Sequence, residues 1–132
     1  KNLTGSVTYD DECSLIDGDY DRIRQLFIIL LQNAVKYSYE GTRIDVHVAR
    51  RDGKIVTSVK DVGSVIPEGE WENIFEKFYR ASNHGEKEGS GLGLVVANNI
   101  VERHRGTIFV ESGEQSGTCF FVEFPETSEN LT

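Results

Sequence analysis

Three glycines alternate at Gly89, Gly91 and Gly93 in the stretch from Glu88 to Leu94, and a mostly apolar run from Leu92 to Val101 follows at once. Glycines there let the backbone take positive φ and approach a ligand closely. A helix starting among them points unpaired N–H groups, at the positive end of its dipole, toward whatever lies in front. Such an arrangement holds a phosphate. The same run also reads as a flexible loop with a glycine-softened helix start, and alone it does not separate the two. It fits neither Gly-x-x-x-x-Gly-Lys, since no Lys-Ser/Thr follows, nor the dinucleotide fingerprint Gly-x-Gly-x-x-Gly, since the third glycine sits one place early.

Two further groups carry chemistry. Asn33, Lys36 and Tyr37 stand three and four residues apart and share one face of a predicted helix. Asp61 continues the alternation of Ile55 and Val59, which turns its carboxylate toward the core. A carboxylate there is costly unless something pairs with it. A strand-end turn that rotates Asp61 into solvent is the competing possibility.

The elements that must position these groups are legible in outline. Thr4 to Tyr9 and Ser14 to Ile16 are weak strand candidates. Asp19 can cap a helix starting near Tyr20, with Ile23, Leu26, Phe27, Leu30 and Ala34 as its apolar stripe and Gly41 as its stop. Arg43 to Val48 and Ile55 to Val59 alternate around an Arg51-Asp52-Gly53 turn, which predicts a hairpin. Trp71, Ile74, Phe75, Phe78 and Tyr79 predict a short aromatic packing element, and Arg80 to Glu88 a mobile loop. The glycine-led helix should run to about Arg103 and end at Gly106, with His104 complementing its dipole. Thr107 to Ser112 and Thr118 to Phe124 predict a last hairpin, before a polar tail over residues 126–132. The order points to an α+β two-layer sandwich: a mixed, mostly antiparallel sheet with helices on one face. His47, on the polar side of its strand, and His84, in the loop, read as solvated.

With 132 residues, 38% hydrophobic and 27% charged, the chain reads as one soluble globular domain over residues 1–125 plus the tail. A net charge of −8 argues against nucleic-acid binding through a basic surface. No apolar run approaches a membrane span, and no signal-peptide pattern is present. Because it starts at Lys1 and has no methionine, the chain is expected to be a segment of something longer. Cys13 and Cys119 fit no metal spacing, and two free thiols are the expectation over one disulfide.

Together these pieces resemble the ATP-binding catalytic domain of sensor histidine kinases, within the class shared with gyrase-type ATPases and heat-shock chaperones. The likeness runs from about Leu3 to Pro125 with motifs in the family's order. Gln25-Leu26 through Leu30 to Ser38 resembles the first box, Asp61 to Pro67 the second, Phe75 to Arg80 the aromatic box and Gly89 to Leu94 the third. Gly117-Thr118 stands where the last glycine motif belongs. The resemblance implies that Asn33 binds Mg²⁺, Lys36 neutralises phosphate charge and Tyr37 lies along the nucleotide. It implies that Asp61 accepts from the adenine amino group, that Gly63 lets the backbone pass close to the base and that Thr118 reaches the base edge. Gly89, Gly91, Leu92 and Gly93 would carry the phosphates of ATP. The loop from Arg80 would close as a lid, with Arg80 either adding positive charge or staying solvated.

The implied activity is transfer of the γ-phosphate to a histidine on a separate dimerisation domain of the same parent protein. A response regulator would be the downstream partner, with no nucleic acid and no direct membrane contact. The implied setting is cytoplasmic, whether or not the parent is anchored in the cell membrane. Three positions depart from the pattern: Ile29 replaces a polar residue four before Asn33, Val65 replaces the second glycine of Asp-x-Gly-x-Gly, and Val62 replaces a common Asn. A Glu at the position of Ile29 is the general base of the ATP-hydrolysing relatives, so self-contained hydrolysis is not expected. These departures keep open a second reading, a non-catalytic nucleotide-binding or docking module.

Overall fold

The computed structural model describes residues 3–9, 18–76 and 92–126. Five strands form one sheet in the order β1-β2-β3-β5-β4. β1 (Thr4–Tyr9) runs parallel to β2 (Arg43–Arg51), and α1 (Tyr20–Tyr37) lies in the connection between them. A parallel pair needs such a crossover, because a tight turn cannot join it. β2 then pairs antiparallel with β3 (Lys54–Asp61), and β3 with β5 (Gly117–Pro125). β4 (Thr107–Gly113) closes the sheet beside β5, and α2 (Gly93–Arg103) precedes it. The predicted mixed, mostly antiparallel sheet with helices on one face is what the chain forms.

One face of every central strand is apolar, and the helices cover it. Val59, Phe120 and Val110 stand opposite one another across β3, β5 and β4, and Thr57, Val122 and Ile108 form the next row. Leu26, Leu30 and Ala34 of α1 and Ala97, Ile100 and Val101 of α2 pack onto these rows in a single core. Each fully buried aliphatic or aromatic side chain adds about 1.5–3 kcal/mol, so the rows hold both helices down. The other face carries Arg43, Asp45, His47 and Lys60, with the stacked pair Phe109–Phe121 beside them (ring centroids 5.0 Å). There the Ser6 hydroxyl and the Arg43 guanidinium hold the Asp45 carboxyl below its ordinary range. The predicted solvated His47 meets the Thr8 hydroxyl at 2.5 Å.

Helix ends show where the sequence reading needs correction. Asp19 caps α1 as expected, accepting from the N–H groups of Asp21 and Arg22. The helix ends at Tyr37 with Ser38 as its cap, four residues before the predicted stop; Gly41, at φ +81°, belongs to the turn that follows. His104 does more than complement a dipole. Its Nε2 accepts from the Asp19 N–H at 3.0 Å, while Nδ1 lies 2.7 Å from the Ile100 carbonyl oxygen. A backbone N–H can only donate and a carbonyl can only accept, so the ring is neutral with its proton on Nδ1. It ties the end of α2 to the start of α1.

The residue that reverses the chain after α2 is Arg105, at φ +63°, rather than Gly106. Gly106 is needed for a different reason: a Cβ there would sit 2.4 Å from the Glu123 carbonyl oxygen. The predicted aromatic element is two short 3-10 turns, Glu68–Glu70 and Asn73–Phe75. Phe78, Tyr79, Cys13, His84 and the Ser14 to Ile16 strand candidate lie outside the described residues, as does the tail beyond Glu126. Among the described residues no helix is long and apolar enough to cross a membrane.

A left-handed conformation costs a non-glycine residue roughly 1–2 kcal/mol, partly offset by the greater unfolded-state freedom of glycine. Arg105→Gly should therefore raise stability by up to about 1 kcal/mol. The readout is a higher urea midpoint at unchanged slope; an unchanged or lower midpoint would contradict this account of the turn.

Candidate functional site

The site residues gather where the end of α1 meets the end of β3. Asn33, Lys36 and Tyr37 are half-buried on the last turns of α1, with the Lys36 ammonium 5.3 Å from the Tyr37 ring centre. Ser38 then extends (φ −76°, ψ 152°) and forms an isolated antiparallel bridge with Gly63. The Tyr39 N–H donates to the Val62 oxygen (2.9 Å) and the Ser64 N–H to the Tyr37 oxygen (3.1 Å). A Cβ on Gly63 would lie 2.0 Å from the Tyr37 oxygen and 2.6 Å from the Ser38 Cα. Only glycine admits that approach. The requirement comes from chain meeting chain, which is a different reason from the expected passage close to a base. Ser38, which sequence reading left without a role, turns its buried hydroxyl back to the Ala34 carbonyl at 2.6 Å.

Asp61 faces the core, with 2% of its surface exposed, so the solvent-turned alternative does not hold. It stands opposite Thr118 on β5, and Thr118 stands opposite Ser112 on β4. One polar row thus crosses three strands at the end of the apolar rows. The Asp61 Oδ1 is shut off from solvent and receives no hydrogen bond from the described residues, although the residue is not electrostatically isolated. An ionised carboxylate only accepts, so a buried oxygen of this kind suits a donor such as an exocyclic amine.

The loop after Asp61 is pinned to this row. The Ile66 N–H donates to the Ser112 hydroxyl at 2.9 Å, and the Ile66 oxygen accepts from the Trp71 indole at 2.8 Å. Ser64 offers its carbonyl to the Thr118 hydroxyl at 3.2 Å. Val65 lies between these anchors without positive φ, so its side chain adds no backbone strain there. Ser112 was legible in principle, since it continues the core-facing alternation of Ile108 and Val110, the signal that singled out Asp61.

α2 begins at Gly93 behind Leu92, whose side chain makes no cap hydrogen bond to its first N–H groups. That leaves donors at the positive end of the helix. The Ile29 Cγ2 would lie 3.6 Å from a Cβ on Gly93, so Ile29 packs against the first residue of α2. Asn33, one turn further on, shares that face of α1. Arg80, Gly89 and Gly91 lie outside the described residues.

Two other features stand apart from this convergence. A cavity of about 400 Å³ lies between α2 and β4, lined by Trp71, Phe75, Asn98, Ile108 and Val110 among others, and Asn33, Asp61 and Thr118 are not in its wall. Cys119 is free, and burial pushes its thiol up to about 11, which keeps it protonated at neutral pH and a poor nucleophile.

Residues 18–128 match the family described as histidine kinase-, DNA gyrase B-, and HSP90-like ATPase. The chain belongs to this family. Within it, the chain is a catalytic ATPase domain of the histidine-kinase kind. It is 35% identical to Sporulation kinase A of Bacillus subtilis over 128 residues, which is 95% of this chain and 20% of that protein. The solved catalytic domain of histidine kinase ThkA superposes with a TM-score of 0.83 at 33% identity, covering 97% of this chain and 82% of that one. A second ThkA structure, in complex with the response regulator protein TrrA, gives a TM-score of 0.79 at 31% identity, covering 97% of this chain and 35% of that one. The chain thus spans about a fifth of the length of the sporulation kinase it matches. Use of ATP comes with the family.

The junction at Gly63 gives a direct prediction. A methyl at that position has only backbone to displace. Gly63→Ala should destabilise the domain by on the order of 3 kcal/mol, at the upper end for single substitutions. A urea midpoint matching the parent would show that the two backbones are not in contact in solution.

Proposed function

We propose that this domain binds Mg-ATP at the convergence of α1, β3 and α2 and presents the γ-phosphate to a histidine on a separate dimerisation domain of the parent protein. The observation that carries the reading is the buried carboxyl group of Asp61 at the end of a core row, beside the helix turn bearing Asn33, Lys36 and Tyr37. Asp61 accepts from the adenine amino group and Thr118 lies along the base edge. Tyr37 borders the nucleotide, and Lys36 offsets phosphate charge. Asn33 supplies a hard oxygen ligand for Mg²⁺, which commonly takes few protein ligands and completes its shell with phosphate oxygens and water. The first N–H groups of α2 at Gly93, with Gly89, Gly91 and Leu92 before them, receive the phosphates. Arg80 adds positive charge from the lid.

When bound, Mg-ATP supplies a phosphoryl group that leaves an ADP oxygen as it joins an imidazole nitrogen. The protein's part in such a transfer is mostly positioning and charge stabilisation, for which no general base at position 29 is required. A response regulator, of the kind bound by ThkA in its complex, then draws the phosphoryl group from that histidine.

One observation favours a second reading. Ile29, where a polar residue would support the metal, is committed to packing on Gly93. On that reading the domain binds nucleotide without turning it over. Two measurements decide. Asp61→Asn should weaken ADP binding about tenfold or more, since a charge-assisted hydrogen bond is worth about 1.5–3 kcal/mol; unchanged affinity in the folded variant removes the adenine assignment. With its own dimerisation domain supplied, the parent sequence should label the acceptor histidine from γ-labelled ATP, and Asn33→Ala should abolish the label. ATP affinity that ignores Mg²⁺, with no label formed, would instead establish the binding module.

A further inference from the structure

Three hydroxyl-bearing contacts beside Asp61 can be given a direction, and the direction has a consequence for the base. The Ile66 N–H donates to the Ser112 Oγ at 2.9 Å. Ser112 Oγ and Thr118 Oγ1 lie 2.6 Å apart, and Thr118 Oγ1 lies 3.2 Å from the Ser64 carbonyl oxygen. A carbonyl oxygen only accepts, so the single hydroxyl proton of Thr118 points at Ser64. Ser112 must then donate to Thr118. The relay runs one way: Ile66 N–H to Ser112, Ser112 O–H to Thr118, Thr118 O–H to Ser64. Every proton in it is used, and such chains polarise one another in a low-dielectric setting.

We propose that Ser112 is a specificity-determining positioning residue, which fixes Thr118 as a hydrogen-bond acceptor and thereby selects a 6-amino purine over a 6-oxo purine. This rests on the adenine pocket argued above. With its proton committed to Ser64, Thr118 has only a lone pair to offer a base edge or a water bridging to it. The Asp61 carboxylate is also an acceptor. Where they face the 6-substituent, both groups favour the exocyclic amine of adenine and disfavour the carbonyl of hypoxanthine, and a site built on fixed hydrogen bonds discriminates strongly against a partner of the wrong polarity. Without Ser112 the Thr118 oxygen loses the donor that fills one of its lone pairs, so the Ser64 carbonyl alone holds its proton and the hydroxyl turns more readily toward a 6-oxo group. Asp61 does not change. Ser112 acts through Thr118 and need not touch the nucleotide.

The test is calorimetric binding of ADP and IDP, which differ in the 6-substituent and in whether N1 carries a proton, to the parent chain and to Ser112→Ala and Ser112→Thr. In Ser112→Ala the preference for ADP over IDP should fall roughly three- to tenfold, the range expected for one neutral hydrogen bond. It should do so through weaker ADP binding with IDP binding kept or improved. Ser112→Thr retains a hydroxyl in a strand-compatible residue and should restore the preference. A purely structural role would weaken both nucleotides in proportion and leave the ratio unchanged, which overturns the inference while the pocket stands. A parent chain with no preference for ADP over IDP overturns the pocket and the inference together. If Ser112→Ala fails to fold, Ser112→Cys, of similar size but a much weaker donor, reads the same ratio: a fall supports the relay and an unchanged ratio refutes it.

Discussion

The backbone junction between the end of α1 and the loop after β3 is the contact on which the rest of the site depends. At Gly63 the two segments come closer than any side chain allows, and the two backbone hydrogen bonds of the Ser38–Gly63 bridge lock them there. The last turns of α1 cannot rotate without breaking that lock. The faces of Asn33, Lys36 and Tyr37 are thereby set relative to the end of β3. From the other side, the apolar rows Val59–Phe120–Val110 and Thr57–Val122–Ile108 set the register that brings Asp61, Thr118 and Ser112 into line. Core packing thus determines where the polar row falls, and the junction determines what stands beside it.

Much of this was legible in the sequence, and for identifiable reasons. The strands and both helices announce themselves through period-2 and period-3.6 apolar patterns, because each has one covered face. Asp61 stood out because a carboxylate on a core-facing position has few bland explanations. The details that escaped share a cause, which is that they depend on elements distant in sequence. The reason for Gly63 lies in Tyr37 and Ser38, and the reason for Gly106 lies in Glu123 on β5. His104 finds its second partner at Asp19, across the whole helix layer. Ser112 carried the same alternation signal as Asp61, yet a serine on a core face is common enough to pass unremarked.

The departures from the family pattern also acquire physical meaning. Ile29 is part of the contact between the two helices, where it rests against the start of α2. A polar residue there would trade packing for hydration near the start of α2. Val65 occupies ordinary backbone, held between Ser64 and Ile66, each of which is anchored to the polar row. A loop pinned at that many points needs less conformational freedom at its centre than the glycine of the family pattern would supply. Val62 is solvent-facing and free of this constraint.

The central claim is that nucleotide binds at the seam of α1, β3 and α2, with its base against the polar row. Backbone amide NMR during an ADP titration tests it most directly, since each element reports separately. The largest shifts should fall in residues 33–38, 61–66 and 92–95 and at Ser112 and Thr118, with the Phe109 and Phe121 amides on the far face nearly still. Shifts centred instead on Trp71, Phe75, Asn98 and Ile108, around the cavity between α2 and β4, would contradict it.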